Sequence, residues 1–305
     1  MRLLLERGHA VTVLDNISTG YASNLDPYPD AELVRDDIRD AEAVERAMVG
    51  KDAVFHLAAS VGNKKSIDEP IYDASHNVLG TINVLEAMRK HGVGTVVYSS
   101  SAGIFGEPQY EPVDEKHPVE PDSPYGATKL CGEKLMLSYM KLYGIKAAAL
   151  RYFNVYGENQ RFDAYGNVIP IFASRIARGE PITIFGDGEQ TRDFIDVRDV
   201  AAANVAAAEN PEASGTFNVG TGSRITINRL VEHLREVTGE PVEAIHGPER
   251  PGDVRHATAE TTRLRETLGV SPDTDVPGNL KRYYEWMVRD PVSIEKVLSP
   301  KAARR

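Results

Sequence analysis

At 305 residues, with 41% hydrophobic and 26% charged residues, the chain has a globular composition and the length of one large domain or two ordinary lobes, and two lobes are expected. With 35 Lys plus Arg against 45 Asp plus Glu, the formal charge is -10 and the only basic cluster is the tail "KAARR", which argues against nucleic acid as a partner. No stretch approaches the roughly 20 apolar residues of a membrane span and the first residues lack the apolar region of a signal peptide, so a cytoplasmic protein without a membrane partner is expected.

The opening "MRLLLERGHAVTVLDNISTG" predicts the last turns of an amphipathic helix ending near Gly8, then a buried strand "VTVLD" tipped by Asp15. A helix running into a second strand ordinarily follows a first strand and a turn, which this opening does not show. Beyond it, "AELVRDDI", "AVFHLAA", "GTVVYSS" and "IKAAALRYF" predict further strands, with helices around 40–49, 75–91 and 125–143. Continuous apolar strands separated by helices imply a parallel sheet covered on both faces, a Rossmann-type doubly wound α/β domain. From about Asn159 the rhythm breaks. "YGNVIPIFASRIARGEPITIFGDGEQTRDFIDVRDVAAA" mixes a helix with short strands, "GTFNVGTGS" predicts another sheet strand, and "TINRLVEHLREVTG" a helix before the Pro/Gly-rich loop at 247–253. The expected organisation is a dinucleotide-binding domain over 1–158, to which 192–222 returns, and a smaller interleaved lobe from 159–191 and 223–305. The ligand belongs between them, at the carboxyl ends of the strands.

Asp15 stands where a Rossmann fold places the acid that binds the adenosine ribose hydroxyls, and a carboxylate there repels a 2'-phosphate, favouring NAD over NADP. A turn-forming Asp in "DNISTG" is the plainer alternative. In "SPYGATKLCGEKL", with a helix start near Ser123 or Pro124, Tyr125 and Lys129 are four apart and share a helix face. An ammonium beside a phenol favours the phenolate, and lowering a Tyr pKa from near 10 by about two or three units makes a useful base near neutrality. That spacing is common on ordinary helices and gains weight from "VVYSSSAGIFG", which puts hydroxyls at a strand end ahead of it. Cys131, the single cysteine, rules out an internal disulfide or Cys-rich zinc site and reads as a packing residue. The eight histidines lack metal-ligand spacing, so no metal is expected.

These segments together resemble the extended short-chain dehydrogenase/reductase superfamily, and most closely its nucleotide-sugar 4-epimerases. The resemblance covers nearly the whole chain. It rests on "VLDNIS", "FHLAA", "NVLGTINVLEA", "YSSSAGIFG", "SPYGATKL", "LRYFNVYG", "GNVIPIF", "IFGDGEQTRDFIDVRDVA", "FNVGTG" and "RPGDVRHA", all in the family's order. It implies Ser101, Tyr125 and Lys129 as the catalytic set. It implies NAD contacts from Asp15, Asn16, Ser18, Asp37, Ile38, Leu57, Ala58, Ala59, Asn77, Ser99 and Tyr152, besides Tyr125 and Lys129. Nucleotide-sugar contacts fall on Asn154, Asn167, Val168, Thr183, Phe185, Arg192, Arg250 and Asp253. Two arginines can clamp a pyrophosphate and Asp253 can accept from a ribose hydroxyl, whereas Arg192 read alone in "TRDF" is a surface ion-pair residue. The implied reaction is a transient oxidation at C4 of a UDP-hexose, with the hydride returned to the other face of a 4-keto sugar.

Dehydratases and decarboxylases of the superfamily resemble one another in carrying carboxylates just after the catalytic Ser/Thr, where this chain has Ala102 and Gly103. Epimerisation is therefore favoured over elimination. A non-catalytic nucleotide-sugar binding protein is the remaining alternative, and it gives no reason for Ser101, Tyr125 and Lys129 to occur together. Phe105 stands where the family often has Tyr, and "SVGNKK" lacks a Lys that some epimerases place beside the cofactor pyrophosphate, for which Lys64 or Lys65 is the nearest substitute. Ala257, four beyond Asp253, leaves room for an N-acetyl group, so UDP-GlcNAc and UDP-GalNAc are expected beside UDP-Glc and UDP-Gal. The helices near 75–91 and 125–143 resemble a family dimer interface, and a homodimer is expected, although packing of "LMLSYMKLY" on its own sheet explains its apolar side equally well.

In this family a strand and a Gly-x-x-Gly-x-x-Gly turn lead into the helix ending "RLLLERG", and the turn holds the NAD pyrophosphate. Neither is found here, and "GTFNVGTG" has the wrong spacing. In the 3-2-1-4-5-6 order the first strand is expected between "VTVLD" and "VVYSS". Losing about five buried apolar side chains forfeits roughly 8–15 kcal/mol, comparable with a domain's whole stability. The expectation is a natural chain longer by one strand and half a helix, with a deliberate truncation or a decayed gene copy as alternatives.

Overall fold

The computed structural model describes residues 1–160, 167–249 and 254–290. α1 (Arg2–Glu6) leads to β1 (Thr12–Leu14), and β2 (Glu32–Val34) lies parallel to it, Thr12 opposite Glu32 and Leu14 opposite Val34. α2 (Ala41–Met48) begins at Asp40, whose carboxylate accepts from the Glu42 and Ala43 amides. After β3 (Ala53–His56) come α3 (Asn63–Asp68) and α4 (Pro70–Ala74), and α4 passes through a π turn at Ser75–Gly80 into α5 (Thr81–His91). β4 (Thr95–Ser101) precedes α6 (Pro124–Tyr143), which has Pro124 in its first turn and Ser123 as its cap, accepting from the Gly126 amide.

β5 (Lys146–Tyr152) and β6 (Asn154–Tyr156) follow, then α7 (Val168–Ala177), β7 (Ile182–Phe185), β8 (Thr191–Arg192), β9 (Phe194–Asp196) and α8 (Val197–Glu209). The rest comprises β10 (Gly215–Val219), β11 (Ile225–Thr226), α9 (Ile227–Thr238), β12 (Ala244–Gly247), β13 (His256–Ala257), α10 (Thr262–Leu268) and α11 (Val276–Arg289). Among the described residues no helix is long and apolar enough to cross a membrane.

The central sheet is parallel, in the order β10-β5-β4-β3. Its register sets Ser101 and Val219 both opposite Tyr152, so β4, β5 and β10 end together, while His56, the last residue of β3, lies opposite Tyr98. Side chains alternate across it. Val96, Tyr98, Ala147 and Ala149 pack under α2, α5 and α6, while Val97, Ala148, Leu150, Phe217 and Val219 pack under α8 and α10. The sheet is thus covered on both faces, and the doubly wound α/β expectation holds. A separate cluster joins α7, α9 and α11 over β7, through Phe172, Ile182, Leu230, Leu234, Leu280 and Met287. α10, expected in the second lobe, instead buries Leu264 and Leu268 against the central sheet.

One expectation about the sheet needs correction. β1 and β2 form a pair of their own, but the edge facing that pair cannot belong to "VVYSS", because β4 is hydrogen-bonded to β3 on one side and β5 on the other. The edges of the central sheet are β10 and β3, and it is β3, "AVFH", that lies beside β4. Counting an expected first strand ahead of β1, "AVFHLAA" and not "VVYSS" is the fourth strand of the 3-2-1-4-5-6 order.

Beneath the sheet's carboxyl edge lies a dry ion pair. Arg151, on β5, donates from Nη2 to Glu133 Oε1 at 2.8 Å and from Nε to Oε2 at 3.1 Å, and Ser100 Oγ donates to Oε2 at 2.8 Å. Glu133 is 0% and Arg151 3% exposed, so removing one partner strands a desolvated charge. Glu133→Gln is expected to cost about 3–5 kcal/mol in urea unfolding, and Glu133→Leu with Arg151→Met to recover most of it. Equal losses for the single and double variants would show that the pair's charges are not coupled.

Candidate active site

The residues expected to hold a dinucleotide gather at the carboxyl ends of the strands. Asp15 is exposed at the tip of β1, where Oδ1 accepts from the Ile17 amide at 2.7 Å. Asn16 Nδ2 donates to Asp37 Oδ2 at 2.8 Å, and its Oδ1 accepts from the Ser18 amide at 3.0 Å. Asp37, after β2, also takes three hydrogen bonds from Arg39, two from the guanidinium and one from the amide, and these hold its carboxyl well below the usual carboxylate range. Ile38 is buried where Gly80 approaches it; a Cβ on Gly80 would lie 2.5 Å from Ile38 Cδ1. Beyond β3, Leu57 remains 55% exposed beside half-buried Ala58 and Ala59.

Asn77 follows α4. It is buried in the π turn, accepts from the Ser60 amide at 2.8 Å and donates to the Ser60 carbonyl at 3.0 Å. Its Nδ2 also lies 3.1 Å from Asp73 Oδ2 and from Thr128 Oγ1. Its side chain is thus committed to bracing the loop after β3. Ser99 lies in β4, and Tyr152, at the end of β5, donates its hydroxyl to Asn204 Oδ1 at 2.9 Å. Lys64 is paired with Asp68 at 2.5 Å, and the Lys65 ammonium lies 4.2 Å from the centre of the Tyr72 ring.

Ser101, Tyr125 and Lys129 converge through close backbone approach. α6 meets the 102–104 turn at Gly126, where a Cβ would lie 2.3 Å from the Gly103 carbonyl oxygen. A Cβ on Gly103 would be 3.3 Å from Ser101 Oγ and 3.7 Å from the Tyr125 ring, so a side chain at 103 would enter the site. Ser101 Oγ accepts from the Gly103 amide at 3.1 Å. One turn along α6, Lys129 is 2% exposed, its ammonium 4.4 Å from the centre of the Tyr98 ring.

The electrostatics differ from the sequence-based expectation of a phenol lowered by Lys129. Burial pushes the Tyr125 phenol up; the neighbouring Ser101 hydroxyl opposes that, and the Asp73 carboxylate adds to it. Burial also lowers Lys129 to about 7, against the pull of Asp73 and Glu133. The physical reason is desolvation: the dry surroundings penalise phenolate and ammonium alike. Asp73, Thr128 and Glu133 went unnoticed in the sequence. The available signal was spacing, since Asp73 stands four before Asn77 and Glu133 four after Lys129.

The residues expected to hold a nucleotide sugar lie on the short strands beyond β5. Asn154 donates from its amide and from Nδ2 to the Asp193 carbonyl, at 3.0 and 3.1 Å. Asn167 precedes α7, and its Nδ2 donates to the Val155 carbonyl at 3.3 Å, while Val168 is the helix's first residue. Thr183 and Phe185 lie on β7, opposite Ile245 and Gly247 of β12. Arg192 stands on β8 between Ile225 and Ala257, donating to the Thr191 carbonyl at 2.8 Å. Arg250 and Asp253 lie outside the described residues.

An acid at the tip of β1, apolar Leu57 on the strand edge and a braced loop after β3 fit the diol and rings of a dinucleotide. With Ser101, Tyr125 and Lys129 beside that edge, the fold and site define an enzyme of the short-chain dehydrogenase/reductase type. Residues 1–220 match the model of the NAD dependent epimerase/dehydratase family, and the chain belongs to that family. It is 41% identical over 286 residues to a putative UDP-glucose 4-epimerase of Methanocaldococcus jannaschii, covering 93% of this chain and 92% of the relative. UDP-glucose 4-epimerase from Thermotoga maritima, solved with UDP-glucose, matches with a TM-score of 0.89 at 37% identity, over 93% of each chain. UDP-N-acetylglucosamine 4-epimerase from Methanobrevibacter ruminantium M1, solved with UDP-N-acetylmuramic acid, matches at 0.88 and 36% identity, over 92% of this chain and 90% of that one.

Proposed function

We propose that the chain is an NAD-dependent UDP-hexose 4-epimerase, interconverting UDP-glucose and UDP-galactose and accepting the N-acetylated pair. The observation that carries this reading is Tyr125 beside Ser101 with a bare Gly103 against the phenol ring, which supplies a base for the 4-hydroxyl and no carboxylate for elimination. Tyr125 as phenolate takes the proton from the sugar 4-hydroxyl while the Ser101 hydroxyl bonds the same oxygen. NAD, held by Asp15 and the loop after β3, supplies a hydride acceptor and donor for C4 when bound. The planar 4-keto sugar turns about its pyrophosphate tether, for which Arg192 is the candidate clamp, and Tyr125 returns the proton. Lys129 adds positive charge beneath the phenol only while protonated.

The sugar pocket reading rests on Ala257, which β13 places directly opposite Arg192. A methyl side chain there leaves volume that a tyrosine would fill. The single Cys131 suits a reducing compartment, and we place the protein in the cytoplasm. The homodimer reading rests on exposed apolar side chains, Ile67 at 62%, Ile71 at 83% and Leu79 at 59%, on α3, α4 and the π turn, which pack beside α6. The apolar side of "LMLSYMKLY" contributes less, because Met136, Leu135, Leu137, Tyr139 and Met140 pack on the chain's own sheet.

Assay of the purified chain with added NAD and UDP-galactose is expected to yield UDP-glucose. Tyr125→Phe should bind the UDP-sugar while turning over at least about 100-fold more slowly, and Ala257→Tyr should keep the hexose reaction and lose the N-acetylhexosamine one. A 4-keto product from the wild type, or full turnover by Tyr125→Phe, would refute the reaction as written; N-acetyl turnover by Ala257→Tyr would refute the pocket. In sedimentation the chain is expected at twice its 33.5 kDa mass, and at the monomer mass once Ile71 and Leu79 are both changed to Glu. A monomeric wild type would contradict the dimer.

A further inference from the structure

Asp73 is the carboxylate that the proposed reaction leaves unused. It lies in α4 with no exposed surface. Its Oδ2 accepts from Thr128 Oγ1 at 2.5 Å and from Asn77 Nδ2 at 3.1 Å, while its Oδ1 is buried with no hydrogen-bond partner. Among the described residues it makes no ion pair. A dry carboxylate with an idle oxygen is costly to keep and calls for a compensating role.

What faces it explains the cost. Thr128, which it grips, lies between Tyr125 and Lys129 on α6, and the Thr128 hydroxyl is also 3.1 Å from the Tyr125 carbonyl oxygen. Around Lys129 are Tyr98 from β4, His56 from β3, Tyr125 and Glu133 from α6, and Asp73 from α4. Burial holds His56 neutral, at about 3, and pushes the Tyr98 phenol up, so neither carries charge near neutrality. Glu133 is bound through both oxygens to Arg151. Asp73 is therefore the carboxylate in this shell that faces Lys129 without an arginine partner of its own.

We propose that Asp73 is a positioning residue of the reacting site, anchoring the first turns of α6 through Thr128 and setting the charge of Tyr125 and Lys129 from beneath; this rests on the reading of those two as the acid/base pair. Its negative charge favours the ammonium of Lys129 and disfavours the phenolate of Tyr125. Replacing it with a neutral isostere lowers both midpoints.

The test is Asp73→Asn in protein carrying 13C at the lysine ε-carbons, with the Lys129 resonance assigned by its loss in Lys129→Arg. The Lys129 midpoint is expected to fall by at least about one pH unit, and the optimum for UDP-galactose turnover to move acidward with it, kcat changing more than KM. An Asp73 that only holds structure would lower the pH profile without moving it, and an unmoved Lys129 midpoint overturns the proposal. Should Asp73→Asn fail to fold, Thr128→Val, which removes the hydroxyl that Asp73 grips, still decides: a kcat and a Lys129 midpoint both unchanged overturn the proposal. A Lys129 midpoint that moves in a chain that never interconverts the sugars would leave Asp73 charge-setting and refute the epimerase reading instead.

Discussion

Burying the Lys129 ammonium is the constraint around which the rest of the site is arranged. A lysine 2% exposed loses most of its hydration, and its side chain is tolerated because the Tyr98 ring face, Asp73 and Glu133 surround it. Those neighbours in turn dictate backbone. Tyr98 leaves no room for a side chain at 132, where a Cβ would lie 2.2 Å from its hydroxyl, so α6 lies close against β4. The same closeness at Gly126 brings Tyr125 to the turn after Ser101. The reacting groups are therefore aligned by a helix pressed on a sheet, which is stiffer than a loop could be.

The nucleotide-sugar side depends on a second dry carboxylate. Asp193 is fully buried and accepts from the amides of Thr221, Gly222 and Ala259 and from the Thr221 hydroxyl, at 2.7 to 3.1 Å. Its carbonyl holds Asn154. One residue thus ties the start of β6, the loop after β10 and the stretch following Ala257 to the strand that carries Arg192. Burial raises its carboxyl, and the four donors oppose that. β6, β8 and β13 are only two or three residues long, and such links substitute for the ladder hydrogen bonds they lack.

Much of the first half was legible because its signals are strong and local. "GTVVYSS" and "IKAAALRYF" carry consecutive apolar residues without a polar alternation, as a strand covered on both faces does, and they became β4 and β5. "SPYGATKL" supplied a cap, a first-turn proline and the Tyr/Lys pair in one stretch. Beyond Asn159 the resemblance, and not periodicity, located the residues, because β8 is the dipeptide Thr191–Arg192, positioned by its neighbours' register alone. The edge expected at "VVYSS" belongs to β3 for a related reason: strand sequence says nothing of strand neighbours. Asp73 was hidden because "IYDASHN" reads as the polar side of a helix, and burial of that side is a tertiary fact. Burial at Tyr125 was likewise not legible, since spacing shows which groups are near but not how dry their surroundings are.

Hydride removal and return at a single carbon is the claim on which this view of the site stands. Its most direct measurement is conversion of UDP-galactose deuterated at C4 into UDP-glucose in ordinary water, with the product read by mass spectrometry. Deuterium retained at C4 is expected, because the hydrogen leaves as hydride to NAD and comes back without meeting solvent. Product that has lost the label to water would mean that C4 is deprotonated as an acid, and the oxidation–reduction account of Ser101, Tyr125 and Lys129 would be contradicted.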